Sequence, residues 1–177
     1  MVAGRFEVLD ATTFPEFPEI EETGSTFLEN ARLKALGISQ KIDGRVLSDD
    51  SGLEVDALAG APGVWSSSYG GEEGNHAKNN ARLLAELAGK TQRIARFRCT
   101  MVLARGGMEQ ANFSGSVEGR IIEELHGEGG FGYDPLFIPE GHHQTFAQLG
   151  DAVKNSLSHR ARALAKVLEF LNQQVPA

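Results

Sequence analysis

The sequence predicts an α/β fold with a mixed sheet flanked by helices, because segments of strand and helix periodicity alternate along it. Residues 95–105 (ARFRCTMVLAR) form the clearest strand, with side chains that alternate between two faces. Gly106 and Gly107 can turn this strand into an antiparallel partner at about 108–118, which predicts a long hairpin. The length of 177 residues suits one domain with a sizeable core.

Three segments are predicted to be helical. Thr26 and Glu29 have the spacing of a capping box, and the apolar periodicity that follows predicts a helix at about 27–41. The other two helices, in the middle and in the tail of the chain, are indicated by the apolar sets Ala77, Ala81, Leu84 and Ala88, and Ala161, Leu164, Leu168 and Leu171.

Three shorter strands are expected, at 5–9, 45–47 and 136–138. The stretch between the first strand and the first helix, residues 12–24 (TTFPEFPEIEETG), carries two prolines that favour an extended or looped backbone. We expect it to be a surface connection.

Charge and cysteine content exclude several classes of function. A net charge of −7 argues against broad binding to nucleic acid or anionic lipid. Cys99 stands alone, so no intramolecular disulfide can form and a reducing cytoplasm is the default location. No apolar stretch approaches the ~18 residues that a membrane span needs. Any signal-peptide core is interrupted by Arg5, Glu7 and Asp10. From the net charge and the lack of an apolar span, we expect neither a nucleic-acid nor a membrane partner.

Two adjacent carboxylates follow a short apolar run in residues 46–52 (VLSDDSG). On a regular strand Asp49 and Asp50 would point to opposite faces, whereas at a strand end they can converge. Converging carboxylates suit Mg²⁺, which binds through one or two of them and keeps water and phosphate oxygens as its other ligands. Taken alone, DDSG is more typical of a solvated turn. The spacing of an EF-hand loop is absent, so a calcium site of that type is excluded.

A glycine-rich segment, residues 127–132 (GEGGFG), matches the dinucleotide-binding pattern G-x-G-x-x-G in form only. Tyr133, Asp134 and Pro135 follow where that pattern needs the start of a helix, which excludes a Rossmann site. Two interpretations stay open. The segment is either a plain flexible turn or a loop that approaches a ligand closely, with Phe131 stacking on a planar ring and Asp134 accepting a hydrogen bond.

Lys154, His159 and Arg160 are predicted to lie at or near the start of the last helix, in the segment KNSLSHR. Cations at the amino end of a helix oppose its macrodipole, at a cost of a few tenths of a kcal/mol each. An anionic ligand would explain their placement, because backbone N–H groups and cationic side chains together hold phosphate oxygens. The alternative is a solvated basic turn.

Considered together, these segments resemble the inosine triphosphate pyrophosphatase family in order and spacing. The resemblance covers EETGSTFLENARLKA (21–35), SDDSGLEVDALAGAPGVWSSSYGG (48–71), GGFGYDPLFIPEG (129–141), TFAQL (145–149) and KNSLSHRARAL (154–164). It implies hydrolysis of the deaminated purine nucleotides ITP, dITP and XTP to the monophosphate and pyrophosphate. It also implies an elongated mixed sheet in two lobes, with the nucleotide in a central cleft, and a homodimer.

The resemblance also implies roles for individual residues. Asp50 resembles the acid that binds Mg²⁺ and accepts the proton of the attacking water, with Asp49 beside it and Glu22 as a further metal ligand. The implied substrate contacts are Ser51, the base-binding loop Phe131, Gly132, Tyr133 and Asp134, and then Lys154, His159 and Arg160.

The choice of base follows from hydrogen-bond chemistry. Hypoxanthine and xanthine present an oxygen at C6, where adenine presents an amino group, so a donor from His159 or Arg160 would be satisfied by the first two and opposed by adenine. A mismatched buried donor costs roughly 1–3 kcal/mol.

The amino-terminal segment departs from the family pattern. Family members begin with a strand and a T-x-x-x-x-K loop that contact the triphosphate, whereas MVAGRFEVLD resembles the stretch after the helix that follows them. We therefore expect residues 1–177 to be a single domain that is truncated at its amino terminus. A nucleotide-binding or scaffolding homologue with impaired catalysis stays open as the alternative, and a pyrimidine-directed pyrophosphatase is a weaker third.

Overall fold

A computed structural model of the protein describes residues 6–10, 14 and 20–174. This part of the chain contains four strands and four α-helices. The strands are β1 Arg45–Val55, β2 Ile94–Arg105, β3 Met108–Ile121 and β4 Phe137–Pro139. The helices are α1 Phe27–Ser39, α2 His76–Glu86, α3 Phe146–Leu157 and α4 His159–Gln173.

The strands form one sheet in the order β1-β2-β3-β4. The predicted hairpin is confirmed, with β2 and β3 joined through Gly106 and Gly107 at φ values of 59° and 77°. Both glycines adopt the left-handed backbone that a two-residue hairpin turn favours. The α/β class with helices flanking the sheet is confirmed. The pairings among these four strands are all antiparallel, so the parallel pair that a mixed sheet requires does not occur in the described part.

Helices cover both faces of the sheet, and small side chains let them approach closely. One face is covered by α1, which packs Ala31 and Ala35 against Val102 and Ala104. The opposite face is covered by α4, which packs Ala163 and Val167 against Cys99 and Met101. A larger hydrophobic core is formed by other buried side chains, which include Leu53, Val55, Leu83, Leu87, Phe97, Val117, Ile121, Phe137 and Phe146.

The first strand of the sheet is much longer than expected. The sequence predicts a strand over 45–47, whereas β1 extends over eleven residues and includes Asp49 and Asp50. Ser, Asp and Gly have low strand propensity, but cross-strand pairing with β2 overrides it along the whole segment, from Arg45 opposite Arg105 to Val55 opposite Ala95. The two carboxylates therefore lie within a strand and not at its end.

The start of α1 is confirmed in part. Thr26 caps the helix, since its hydroxyl accepts the Glu29 amide N–H at 3.2 Å. The closest partners of the Glu29 carboxylate lie one residue before Thr26, since it accepts from the amide and hydroxyl of Ser25 at 2.7 and 2.8 Å. The helix ends at Ser39, two residues earlier than predicted.

The tail holds two helices where the sequence predicts one. Ser158 separates α3 from α4, and its hydroxyl caps α4 by accepting the Ala161 amide at 3.2 Å. Gly150 (φ 79°, ψ 169°) interrupts α3, so Lys154 lies in the last turn of its second segment, residues 151–157, and not at the start of α4. Its placement needs no anion to explain it, whereas His159 and Arg160 do lie in the first turn of α4.

The predicted strand at 5–9 does not form: residues 6–10 are in no strand, and residue 5 lies outside the described residues. Most of the predicted connection at 12–24 (residues 12, 13 and 15–19) also lies outside them. Within the described ranges, no helix has both the length and the apolar composition needed to cross a bilayer.

Candidate functional site

The alternation of β1 sends the two adjacent carboxylates to opposite faces of the sheet. Asp50 lies opposite Thr100 on the α1 face, while Asp49 and Ser51 lie opposite Met101 and Cys99 on the α4 face. The expected convergence of Asp49 and Asp50 is therefore not met. Both still line one cavity of about 910 Å³, together with Ser51.

That shared cavity forms because β1 is at the edge of the described sheet. It pairs with β2 along one side, and in the described residues its other side forms only a single bridge, between Glu54 and Pro62. Side chains from both faces can therefore reach the same open space around the strand.

The Asp50 carboxylate has an environment that suits a proton acceptor. Its side chain is 14% exposed, and its two oxygens accept the Asn30 amide at 3.1 Å and the Ser51 backbone N–H at 3.0 Å. Burial raises the pKa of Asp50 above its usual value, and the Lys34 ammonium and the Asn30 hydrogen bond oppose that rise in part. A carboxylate with a raised pKa that faces an open cavity is suited to accept a proton from water.

Lys34 lies between two carboxylates, a feature that the sequence interpretation missed. Its ammonium is 3.0 Å from a Glu22 oxygen and 3.9 Å from an Asp50 oxygen. This places Glu22 and Asp50 on the same side of the sheet, around one point of positive charge. Lys34 follows Asn30 by four residues on α1, so the helical spacing could have predicted that both face β1.

Asn30 links Asp50 to the segment that carries Glu22, and the sequence interpretation did not predict this residue either. It is 3% exposed, it donates to Asp50, and its amide oxygen accepts the Gly24 backbone N–H at 2.7 Å. Gly24 follows Glu22 by two residues, so one buried amide sets the distance between Asp50 and the segment that carries Glu22. A Cβ at position 24 would lie 2.6 Å from the Asn30 oxygen, which makes glycine necessary there.

The acidic pair of Glu22 and Asp50 fits a hard divalent cation. No group of three or more His, Cys, Asp or Glu side chains gathers as a metal site in the described residues. A cation held by Glu22 and Asp50 would take its other ligands from water or phosphate oxygens, which is the coordination that Mg²⁺ prefers. Asp49 lines the same cavity but leaves β1 on the opposite face.

Asp49 instead binds Arg160 from the start of α4. One Asp49 oxygen accepts the Arg160 Nε and Nη2 at 3.0 and 2.8 Å, and the Ser51 hydroxyl accepts the same Nη2 at 3.0 Å. Arg160 also lines a second cavity of about 490 Å³, so the two cavities share this residue.

The second cavity lies between the glycine-rich loop and α4. Phe131 is 56% exposed at its edge, and the Lys154 ammonium is 3.9 Å from the centroid of its ring. Lys154 also pairs with the buried Asp134 carboxylate, which accepts the Phe131 backbone N–H at 2.8 Å. These three residues give an aromatic face held by a buried ion pair, a surface that can stack on a planar ring.

Two residues of the predicted base-binding loop make hydrogen bonds that hold the loop in place. Tyr133 is 3% exposed, and its hydroxyl donates to the Ser66 carbonyl at 2.9 Å. The Gly132 carbonyl accepts the Asn80 amide at 3.0 Å, and Gly132 has a φ of 62° that favours glycine. The sequence did not predict Asn80, because its contact depends on how α2 docks under the loop.

His159 is buried behind Arg160. Its ring is 7% exposed and stacks on Phe97, with centroids 5.1 Å apart. Burial, together with the Arg160 and Lys154 charges, lowers the pKa of His159 to about 3. Its Nδ1 is buried and has no partner in the described part of the chain. The imidazole is therefore neutral near pH 7 and presents one N–H donor, not a positive charge.

This shift predicts a loss of stability on acidification. With a pKa of about 3 in the folded protein and its ordinary value of 6.5 in the unfolded chain, His159 binds more protons when unfolded between those pH values. Its contribution is fully present above pH 6.5 and falls as the pH drops. Between pH 7 and pH 5 we expect the wild type to lose about 2 kcal/mol more unfolding free energy than His159→Phe, which keeps a ring against Phe97.

Urea denaturation at the two pH values measures this difference. The matched control is His143→Gln, which changes an exposed histidine and should show the wild-type dependence on pH. Equal pH dependence in His159→Phe and the wild type would show that His159 titrates normally.

Comparisons with known proteins identify a family and several similar proteins. The Ham1 family model matches residues 1–170. A Desulforamulus reducens protein named dITP/XTP pyrophosphatase is 49% identical over 170 residues, which cover 95% of this chain and 85% of that protein. The solved Staphylococcus aureus Ham1 protein superposes with a TM-score of 0.92 at 39% identity, covering 98% of this chain and 91% of that one. A Mycobacterium abscessus structure described as a nucleoside-triphosphatase / dITP/XTP pyrophosphatase gives a TM-score of 0.79 at 40% identity, covering 93% and 85% of the two chains.

Proposed function

Because the chain belongs to the Ham1 family, we propose that it hydrolyses deaminated purine nucleoside triphosphates (ITP, dITP and XTP) to the monophosphate and pyrophosphate, removing them from the nucleotide pool. The family assignment made from the sequence motifs is confirmed, since matched relatives carry the name dITP/XTP pyrophosphatase. The observation that carries the proposal is that Arg160 lines both the cavity with Asp50 and the cavity with Phe131.

The proposed reaction is a single displacement at the α-phosphorus. Asp50 orients a water molecule and accepts its proton as the oxygen–phosphorus bond forms. The bond between the α-phosphorus and the bridging oxygen breaks, and pyrophosphate leaves with the electron pair. Because water is the nucleophile, no covalent enzyme intermediate is needed.

The triphosphate carries charge that the site must neutralise. We propose that Glu22 and Asp50 hold Mg²⁺, which supplies positive charge to the phosphate oxygens when it is bound. Lys34 lines the same cavity and can donate to a phosphate oxygen, because its ammonium has three donors and only the Glu22 carboxylate accepts one of them, at 3.0 Å.

The base is placed in the second cavity. Phe131 stacks on the purine, and the ion pair of Lys154 and Asp134 fixes the loop that carries it. Arg160 and the neutral imidazole of His159 supply hydrogen-bond donors to the oxygen at C6, which adenine lacks. Ser51 contributes through its hydroxyl, which accepts from Arg160 and faces the first cavity.

We also propose that the protein works in the cytoplasm as a homodimer, without a nucleic-acid or membrane partner. The net charge of −7 and the single cysteine support the location and the absence of those partners. The homodimer rests on the family resemblance, and light scattering coupled to size-exclusion chromatography measures it.

Product analysis tests the proposed reaction. With Mg²⁺ and ITP, the purified protein should release IMP and pyrophosphate in equal amounts, and ATP should react at least about tenfold more slowly. Release of orthophosphate would mean that the wrong bond is broken. If ITP raises the melting temperature but is not hydrolysed, the chain is a binding protein with impaired catalysis.

A further inference from the structure

We propose that Asp49 is a positioning residue for base recognition, holding the Arg160 guanidinium toward the purine, and not a ligand of the metal. This inference rests on the proposed function. It assigns base recognition to the face of β1 that carries Asp49, and water activation to the face that carries Asp50. It gives the second carboxylate of the DDSG segment a task different from that of Asp50.

The backbone of β1 separates the two carboxylates. Asp50 faces α1 with Asn30 and Lys34, while Asp49 faces α4 with Arg160. A strand reverses the direction of its side chains at each residue, so the two carboxylates leave the backbone of β1 on opposite faces and have different partners.

The contacts of Asp49 all converge on one oxygen. Its Oδ2 accepts two N–H groups of Arg160 and is also approached by the Cys99 sulfur at 3.7 Å. Burial and the Asp49 charge raise the pKa of the Cys99 thiol to about 12, so it stays protonated and can donate to this oxygen. Because this oxygen accepts from both N–H groups, it fixes the orientation of the guanidinium.

Arg160 keeps donors for a ligand. Its Nε and Nη2 bind Asp49 and Ser51, while Nη1 makes no hydrogen bond within the described part of the chain. A guanidinium fixed along one edge presents its remaining N–H groups in a set direction, because the group is planar and rigid. It lines both cavities, which is where a purine C6 oxygen would meet those donors.

The pair is not built for stability. The Asp49 side chain is 34% exposed and that of Arg160 is 46% exposed, and ion pairs with such exposure contribute little to folding. Removing the Asp49 charge should therefore leave the fold intact while freeing the guanidinium to rotate. A rotating donor still attracts a nucleotide but distinguishes an oxygen at C6 less well from an amino group.

Binding measurements separate this role from metal ligation. Asp49→Asn and Asp50→Asn are matched variants, because each replaces one carboxylate of the same strand by its amide. The affinities for IMP and AMP without metal are followed by the fluorescence of Trp65, the single tryptophan, which is 65% exposed and lines the first cavity. Binding of Mn²⁺ alone is followed by electron paramagnetic resonance.

We expect the wild type to bind IMP about tenfold or more tightly than AMP, and Asp49→Asn to lose most of that ratio. Mn²⁺ affinity should stay the same in Asp49→Asn and fall about tenfold or more in Asp50→Asn, which should keep the preference for IMP. Adding Asp49→Asn to Arg160→Gln should change the IMP to AMP ratio no further, because the two residues act as one unit.

The outcomes distinguish the two levels of the proposal. Unchanged preference for IMP in Asp49→Asn overturns the positioning role, and weaker Mn²⁺ binding in the same variant would restore Asp49 as a metal ligand. A wild type that binds neither IMP nor AMP overturns the proposed function, and with it the role of Asp49.

Discussion

Replacing Asp50 by asparagine is expected to lower kcat for ITP at least ~100-fold while the protein still folds and melts cooperatively. The activity falls because an amide cannot accept the proton of the attacking water. Two effects on stability oppose each other. Burial raises the pKa of Asp50, which means that the folded state disfavours the charge that asparagine removes. The NH2 group of asparagine, however, must face the Asn30 amide or the Ser51 backbone N–H, which both donate to Asp50 in the wild type.

Pyrophosphate release and thermal melting, measured on the same preparations, test both halves. The control is Asp43→Asn, which removes the same charge from a fully exposed side chain before β1 and should change neither quantity. A variant that melts several degrees lower and keeps its kcat would contradict the role of Asp50.

Gly115→Ala is expected to destabilise the fold by ~1–3 kcal/mol and to weaken nucleotide binding at the same time. Gly115 lies on β3 under α4, and a Cβ there would clash with the His159 carbonyl oxygen and the Ala163 amide nitrogen. These are helix backbone atoms that no rotamer change can move, so α4 must shift away from the sheet. The shift would carry Arg160 away from Asp49.

Urea denaturation and the KM for ITP measure these two effects. Ser116→Ala is the matched control, since it removes an oxygen from the next residue of β3 on the other face of the strand. We expect the control to keep the wild-type KM. Wild-type stability in Gly115→Ala would show that α4 does not need this close approach.

The elements that local chemistry determines were predictable from the sequence. The hairpin of β2 and β3 follows from side-chain alternation and two turn glycines, and the structure places its turn at the predicted residues. The length of β1 was not predictable, because Ser-Asp-Asp-Ser-Gly forms a strand only through its partner. The division of the tail into α3 and α4 depends on the cap at Ser158, which resembles any other surface serine in the sequence.

The residues of the candidate site were likewise predictable only in part. The motifs and the family resemblance predicted Asp50, Phe131 and Arg160, and the structure places them around two cavities that share Arg160. Asn30 and Lys34 escaped prediction, because an amide and an ammonium on a helix acquire meaning only from the strand against which the helix packs. Their contact with Asp50 is a tertiary feature.

The alternation of side chains along β1 has a consequence for how such a protein can diversify. Since the strand presents Asp50 to one side and Asp49 to the other, the two proposed roles imply that substitutions around α4 can alter which base is accepted without altering the proposed general base. A one-residue shift in the pairing of β1 with β2 would exchange the sides and abolish both tasks together. Substrate preference is thus open to gradual redesign, whereas insertions or deletions within β1 should not be tolerated.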